Sequence, residues 1–166
     1  MKIQTCWILG LGMLFLASCS STRIAFQSDC STIVFDLKKG MLNNTLPTAS
    51  QEEVKKAFTC HTGSTEDGER YNCGGGVFFL KNDFFFYTGR DYIEVRAKYT
   101  GRFQPDISSI SPKNIEEELG KAALKPDENT YFFKRKYGTL RVEFSNGSLS
   151  LVAVHYTTPK EVDLCR

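Results

Sequence analysis

The chain has 166 residues, with 21 Lys and Arg against 19 Asp and Glu, which gives a formal net charge of +2. Hydrophobic residues make up 41% of it, enough for one domain with a core of its own. A charge this close to zero gives no general reason to expect a nucleic acid or an anionic surface as partner, and no motif indicates a cofactor.

The first residues have the pattern of an export signal rather than of a folded segment. Lys2 supplies a positive charge, and the apolar residues 7–16 are too few to span a bilayer. Residues 16–19, Leu-Ala-Ser-Cys, resemble the lipobox of bacterial lipoprotein signal peptides. The resemblance implies removal of residues 1–18 and attachment of diacylglyceryl and acyl (palmitate-type) chains to Cys19, which hold the protein at a membrane. An ordinary secretory signal and a single membrane helix are the alternatives.

Cys6 is lost with the signal peptide and Cys19 carries the lipid. The cysteines that remain are Cys30, Cys60, Cys73 and Cys165. An even number in an oxidising compartment predicts two disulfides, for which three connectivities are possible. We favour Cys60 with Cys73, because the polar loop of twelve residues between them closes easily. We then pair Cys30 with Cys165, because these two bracket the folded part.

Residues 19–30 hold few large apolar groups and predict a flexible spacer between the membrane and the fold. The fold begins with a strand over residues 31–37, in which Ile33, Phe35 and Leu37 share one side. Regular structure is therefore expected from about this point onward.

Two short amphipathic helices are predicted. In the first, Ser50 and Glu53 fit a capping box, and Val54 and Phe58 lie one turn apart on one stripe. The same plan recurs in residues 111–120, with Ser as cap, Pro at the first helical position and Gly at the stop. The two helices therefore occupy equivalent positions along the chain.

Each helix is followed by three segments that alternate as strands do. The first set covers residues 77–80, 84–88 and 92–99, and the second covers residues 131–136, 139–145 and 149–156. The sequence thus predicts an α+β fold of two repeats, residues 31–104 and 105–166, each a short helix plus a three-stranded antiparallel meander. Pieces this small bury little surface, so we expect the sheets to join in one domain with both helices on one face.

This arrangement resembles the tandem-repeat fold of the secreted β-lactamase-inhibitor proteins. The likeness extends over residues 46–156 and depends on a capped helix, a loop between Cys60 and Cys73, aromatic strands, and the run YGTLRVEFSNGSL at residues 137–149. The chain is also similar to the small outer-membrane lipoproteins that assist β-barrel assembly, which use one such unit. The inhibitors carry a disulfide in each repeat, whereas the second repeat here has no cysteine pair, so the resemblance implies a fold and no binding residue.

Aromatic side chains on neighbouring strands are the strongest signal of a site. Strand residues alternate between faces, so Phe84 and Phe86 are expected to point one way and Phe85 and Tyr87 the other. A sheet with helices on one side needs one apolar face, so the second set would form an exposed patch for a protein partner. The candidates are Phe85, Tyr87, Phe79 and Phe133. The alternative is that connecting segments or the tail beyond His155 cover this face.

Residues 60–76 also allow a catalytic interpretation. Cys60 or Cys73 would supply a thiolate, His61 a base and the glycines an oxyanion site. Such chemistry needs a free thiol, and two cysteines that flank a polar loop in an oxidising envelope are far more often a disulfide. His155 adds a fourth metal-binding side chain, but the spacing matches no zinc pattern, so no metal is predicted.

We therefore expect a lipid-anchored, non-catalytic lipoprotein of the bacterial envelope. Ser20 lacks the acidic character of an inner-membrane retention signal, which favours the outer membrane and the periplasm as the location, with the leaflet left open. The expected partner is another envelope or secreted protein, bound in an assembly, scaffold or inhibitor role, and not a nucleic acid. The alternatives are an envelope enzyme that uses Cys73 or His61, and a glycan- or lipid-binding module with a deep pocket behind the aromatic strands.

Overall fold

The computed structural model describes residue 30 and residues 32–65 and 74–162. The predictions for residues 1–29, including Cys19, and those for Cys73 and Cys165 lie outside the described residues. The described elements are, in chain order, β1 Val34–Asp36, β2 Met41–Leu42, α1 Gln51–Ala57, β3 Gly63–Thr65, β4 Gly76–Phe79, β5 Phe84–Tyr87, a 3-10 helix Thr88–Arg90, β6 Tyr92–Arg96, β7 Arg102–Gln104, α2 Ile115–Leu119, β8 Thr130–Arg135, β9 Gly138–Ser145 and β10 Ser148–His155.

The predicted α+β fold of two helix-plus-meander repeats is wrong, because the structure is mainly β. Seven strands form an antiparallel sheet in the order β3-β4-β5-β6-β10-β9-β8, and three form a second sheet in the order β2-β1-β7. Six interstrand spacings make the large sheet roughly 29 Å wide. The longer helix has seven residues, so it is only about 10 Å long and cannot cover that sheet. The small sheet helps to cover it instead.

Strands of the large sheet lie where the sequence alternates. β5 and β6 fall within the predicted ranges 84–88 and 92–99. β9 and β10 are joined at Asn146 and Gly147, whose φ angles of 51° and 75° are those of a two-residue type I′ turn. This tight turn fixes the register of the longest hairpin in the large sheet.

One face of the large sheet carries the hydrophobic core. Phe58, just after α1, lies 5.5 to 5.6 Å from three rings of β4 and β5, measured between ring centroids. The small sheet contributes Phe35 and Leu42, both fully buried. The side chains that the large sheet adds to this core are Val77, Phe79, Phe84, Phe86, Ile93, Val95, Tyr131, Phe133, Leu140, Val142, Phe144, Val152 and Val154.

Both predicted helices form, but they start differently. At α1 the capping box is confirmed: Ser50 Oγ accepts from the backbone N–H of Glu53, whose carboxylate accepts from the backbone N–H of Ser50. The second helix starts at Ile115 after Asn114 rather than after Ser111, because Ser111 Oγ donates instead to Asn114 Oδ1. No helix among the described residues is both long and apolar enough to cross a membrane.

The disulfide that the structure describes joins Cys30 to Cys60, with the Cα atoms 6.1 Å apart. Disulfide bonding of these two cysteines is confirmed. The favoured pairings with Cys165 and Cys73 are wrong, since a cysteine forms one disulfide. The physical reason is that β1 and α1 pack on the same core. This packing brings Cys30, which lies ahead of β1, close to Cys60, which lies after α1.

Candidate protein-binding face

The second face of the large sheet points away from the core. Its side chains form three rows, because directly opposed residues of neighbouring strands lie on the same face. The first row is Phe78, Phe85, Glu94, Ala153, Arg141 and Phe132, the second is Tyr87, Tyr92, His155, Thr139 and Lys134, and the third is Arg96, Leu151, Glu143 and Thr130.

Aromatic rings form a connected ladder on the second face. The ring of Phe78 lies 6.1 Å from that of Phe85 and 6.2 Å from that of Tyr87. Tyr87 stacks on Tyr92 at 4.3 Å, and Tyr92 stacks on His155 at 4.6 Å. Because the rings support one another across β4, β5, β6 and β10, their polar atoms are held in fixed positions.

Arg96 organises one end of this ladder. Its Nε donates to Glu94 Oε1 at 2.6 Å, and its Nη2 donates to the hydroxyl of Tyr87 at 3.2 Å. The guanidinium carbon lies 4.3 Å from the centre of the Phe85 ring, within cation–π distance. We call Phe78, Phe85, Tyr87 and Arg96 the Arg96 patch.

A second charged pair lies on β9 in the same face. Arg141 Nε donates to Glu143 Oε1 at 2.9 Å, and Nη2 contacts the same oxygen. The Arg141 side chain is 8% exposed, whereas that of Arg96 is 47% exposed. The two guanidinium groups therefore differ in role: Arg141 is enclosed by the protein, and Arg96 is half open to a partner.

Burial and Glu94 govern the protonation of the groups around Arg96. Burial is the main cause that raises the pKa of the Tyr87 hydroxyl, and the negative charge of Glu94 raises it further. Burial also raises the pKa of the Tyr92 hydroxyl, with a smaller contribution from Tyr87. Burial alone would lower the pKa of Arg96, but the hydrogen bond and charge of Glu94 outweigh it and raise that pKa. The phenols therefore stay neutral and the guanidinium stays charged, so the patch offers hydrogen bonds and a positive charge.

His155 ends the ladder and is 3% exposed. Burial, followed by the charge of Arg141, lowers its pKa to about 3, so the imidazole is neutral at neutral pH. Its Nε2 has no hydrogen-bond partner among the residues that the structure describes. Thr139 Oγ1 donates to the carbonyl of Thr157 at 2.7 Å, so the tail beyond His155 follows this end of the face.

The four candidate aromatic residues lie in different places. Phe79 and Phe133 are fully buried in the core, where no partner can reach them. The predicted alternation of residues 84–87 is confirmed, with Phe85 and Tyr87 on the second face. Phe85 is 6% exposed beneath Arg96, and Tyr87 is half-buried. The Arg96 patch therefore exposes Tyr87, Phe78 and the guanidinium rather than an open sheet of phenylalanines.

The described residues include several of those on which the catalytic interpretation depends. Cys60 is bonded to Cys30 and is no thiol nucleophile, while the neighbouring His61 is exposed. Gly74 has a φ of +71°, and a Cβ there would come within 3.0 Å of the backbone of Gly89, so this glycine serves close packing. Across the described residues, no group of three or more His, Cys, Asp or Glu side chains could hold a metal ion.

A cleft of about 560 Å³ adjoins the Arg96 patch, because Arg96 lines both. It is lined by parts of β6, β7 and β10, including Tyr99, Phe103 and Leu149 together with the charged Arg102 and Asp106. The glycan- or lipid-binding alternative required a pocket behind the aromatic strands β4 and β5. This cleft has no lining residue from either of them.

The two charged pairs on the second face were not predicted from the sequence. Glu94 and Arg96, and likewise Arg141 and Glu143, are two residues apart on a strand, which places both members of a pair on one face. Opposite charges at this spacing between apolar neighbours are the signal that could have found them. The alternation of residues 92–99 predicted β6, but it did not indicate that Glu94, on the polar side of that strand, is only 4% exposed.

Comparison of the chain with models of protein families, with curated proteins and with solved structures finds no match. The resemblance to β-lactamase-inhibitor proteins and assembly lipoproteins therefore stays a prediction from short motifs, and the repeat fold that it implied is not observed. Function has to be argued from the residues of the site.

Proposed function

We propose that the protein is a lipid-anchored, non-catalytic binding module of the bacterial envelope, which captures another envelope or secreted protein through the Arg96 patch. The observation that carries the proposal is the geometry of Arg96. A half-exposed guanidinium is held by a buried carboxylate, a phenol and an aromatic ring. Arg and Tyr are among the residues that dominate binding energy at protein interfaces.

The sequence and the disulfide support the envelope location. The lipobox ending at Cys19 implies a lipid anchor, and the outer membrane is the expected membrane. The Cys30–Cys60 disulfide agrees with a compartment outside the cytosol, since such bonds form and persist in oxidising surroundings. Both observations are consistent with a periplasmic domain on a tether.

Preorganisation of Arg96 favours a binding role. A free arginine loses rotamer entropy when it docks, whereas Arg96 already has its orientation fixed by Glu94 and Tyr87. A guanidinium has five N–H donors, and these two hydrogen bonds engage two of them. Donors therefore remain for a carboxylate or carbonyl on the partner, next to the half-buried ring of Phe78.

Arg96→Lys tests this proposal with little change to the fold. Lysine keeps the positive charge beside Glu94 but loses the planar fork and the stacking on Phe85. The matched control is Arg102→Lys, because Arg102 is also exposed but lies on the small sheet. The measurement is chemical crosslinking in the envelope followed by purification and mass spectrometry, with the thermal unfolding of each variant recorded alongside.

We expect Arg96→Lys to capture at least tenfold less of the crosslinked partner than the native protein, whereas Arg102→Lys captures as much as the native protein. Both variants should have unfolding temperatures within a few degrees of the native value. Equal capture by both variants would contradict it. The rival enzyme that uses Cys73 or His61 is tested separately by counting free thiols in the non-reduced protein. A reactive thiol at Cys73 would favour the enzyme, and no reactive thiol would exclude a cysteine nucleophile.

A further inference from the structure

The start of β10 lacks a neighbouring strand on one side. β6 pairs with β10 only as far as Arg96, which lies opposite Leu151. Beyond Arg96 the chain turns toward the start of β5, because the backbone N–H of Lys98 donates to Asp83 Oδ2 at 2.8 Å. β10 itself begins earlier, at Ser148, where it pairs with β9. Its first residues therefore have β9 on one side and, among the described residues, no strand on the other.

Ser150 lies in an irregularity of this open edge. The register between β10 and β9 shifts between Leu149 and Leu151, so Ser150 has no partner residue on β9. It has none on β6 either, because that pairing stops at Leu151. The extra residue of a β-bulge is left outside the ladder of hydrogen bonds. Part of the backbone hydrogen-bonding capacity of Ser150 is therefore left for another strand.

β7 presents a second open edge. The backbone N–H of Arg102 donates to the carbonyl of Ile33 at 2.8 Å. The backbone N–H of Leu37 donates to the carbonyl of Gln104, also at 2.8 Å. Alternate residues of a strand direct their backbone groups to opposite edges, so the N–H and carbonyl of Phe103 point away from β1. β7 is the outer strand of the small sheet, and within the described part of the chain no strand pairs with that edge.

The cleft of about 560 Å³ is lined by residues of both open edges, including Ser150 and Phe103. Its volume lies within the range of ligand sites in proteins. The rings of Tyr99 and Phe103, whose centroids are 5.3 Å apart, and the side chain of Leu149 give it apolar walls. Arg96 lines it as well, so the cleft is continuous with the Arg96 patch.

Open backbone groups beside apolar walls favour a peptide as the ligand of this cleft. An extended peptide that adds a strand to a sheet pairs its main chain with such an edge and places alternate side chains in pockets. The hydrocarbon of a lipid has no donor or acceptor for these backbone groups. Charge does not select the ligand, because Arg96 and Arg102 line the cleft together with the oppositely charged Asp106.

We propose that the cleft takes up an extended peptide segment of the protein partner, which pairs with the open edge of β10. The inference rests on the proposed function, because Arg96 belongs to both the cleft and the patch. Alternate side chains of the segment enter between Tyr99, Phe103 and Leu149, and they are therefore apolar. The side chains between them point to the second face, where a carboxylate meets Arg96. No contact of this mode uses the Arg102 side chain, so Arg102→Lys remains a control for partner capture.

The experiment selects binders from a displayed library of random peptides of about ten residues, a length that covers a typical strand. The bait is the mature chain from residue 19 with Cys19→Ser. Enriched peptides are synthesised, and their affinity is measured by fluorescence anisotropy, first unmodified and then with one backbone N–H at a time replaced by N-methyl.

The test variant is Ser150→Trp, which fills the cleft, and the matched control is Ser148→Trp, an exposed position of the same strand outside the cleft. Ala97→Trp is the second test variant. Ala97 also lines the cleft but is exposed, so this variant keeps the fold if Ser150→Trp does not. Thermal unfolding of all three variants is recorded alongside.

N-methylation should weaken binding roughly tenfold at every second position of the peptide and less than about twofold between them, because a strand pairs along one edge with alternate residues. Ser150→Trp and Ala97→Trp should each weaken binding at least about tenfold, and Ser148→Trp less than about twofold. The proposal is overturned if no peptide is enriched, if methylation shows no period of two, or if the cleft variants bind as the control does.

A second copy of the chain is the competing occupant. Analytical ultracentrifugation of the same bait should show a monomer, and a dimer that Ser150→Trp dissociates would assign the cleft to self-association and overturn the proposal. Because the peptide assay contains no envelope protein, its failure leaves the crosslinking test of Arg96→Lys unaffected.

Discussion

Arg96 Nε lies 2.6 Å from Glu94 Oε1, and the two side chains differ sharply in exposure, at 47% and 5%. The carboxylate is held inside the protein and the guanidinium extends from it toward solvent. A buried carboxylate is unfavourable without an ionic partner. Arg96 neutralises the charge of Glu94, and Glu94 in turn holds the Arg96 guanidinium in one orientation. This relationship gives an exposed arginine the rigidity on which the proposed binding role depends.

Loss of Arg96 should destabilise the fold because it leaves Glu94 buried and unpaired. Arg96→Ala is expected to lower the free energy of unfolding by about 1–3 kcal/mol, measured by urea denaturation. Arg102→Ala removes an exposed arginine that has no buried ionic partner among the described residues, and it should change the free energy of unfolding by less than about 0.5 kcal/mol. Similar values for the two variants would show that Arg96 is an ordinary surface residue.

Truncation of the two neighbouring phenylalanines on β4 should destabilise the fold to unequal extents. Phe79 is fully buried in the core, so Phe79→Ala should cost about 3–5 kcal/mol of unfolding free energy. Phe78 is half-buried on the second face, and Phe78→Ala should cost about 1 kcal/mol. Chemical denaturation of both variants measures the difference, and the reverse order would mean that the two faces of the sheet have been exchanged.

Phe78 and Phe79 also show which features of the fold could be predicted from the sequence. Alternation correctly separated the faces of β5 and predicted strands close to the observed ones, because the side-chain period of a strand is a local property. It placed Phe79 on the exposed face, which is wrong, because Phe79 lies in the core and Phe78 lies on the second face. Which of the two lies inside depends on which face α1 and the small sheet cover, and contacts between distant segments set this.

The pairing of the small sheet and the disulfide could not be predicted from the sequence for the same reason. β1 lies within the predicted strand 31–37, but it pairs in parallel with β7, more than sixty residues later. β2 has two residues and β7 has three, too few to carry a periodic signal. Cys30 and Cys60 meet only because β1 and α1 share a core, whereas the rejected pairing Cys60–Cys73 was chosen on local loop closure.

Acidification should destabilise the protein through His155. Its pKa is about 3 in the folded protein against an ordinary value of 6.5, so the unfolded chain binds a proton that the folded protein does not. Stability is therefore full above pH 6.5 and falls as the pH drops toward 3, by about 2 kcal/mol between pH 7 and pH 5.

His155→Gln removes the titrating group and is the control for this effect. The free energy of unfolding, measured by urea denaturation, should fall between pH 7 and pH 5 by about 2 kcal/mol more in the native protein than in the variant. Parallel losses in both proteins would mean that His155 is solvated or hydrogen-bonded in the folded state.

The disulfide should be found between Cys30 and Cys60. Peptide mapping of the non-reduced protein is expected to yield one linked pair that contains these two residues. Cys30→Ser/Cys60→Ser should lower the free energy of unfolding by roughly 3–4 kcal/mol, the chain-entropy value for a loop of about thirty residues. A linked peptide that joins Cys60 to Cys73 would refute the pairing.

The most direct test of the binding face is photo-crosslinking in the intact envelope. A photoreactive phenylalanine analogue replaces either Phe78, in the Arg96 patch, or Leu46, an exposed residue ahead of α1 that is 37% exposed. The account predicts one discrete crosslinked protein from position 78, lost when Arg96→Lys is added, and none from position 46. Crosslinks that arise equally from both positions, or from position 46 alone, would contradict it.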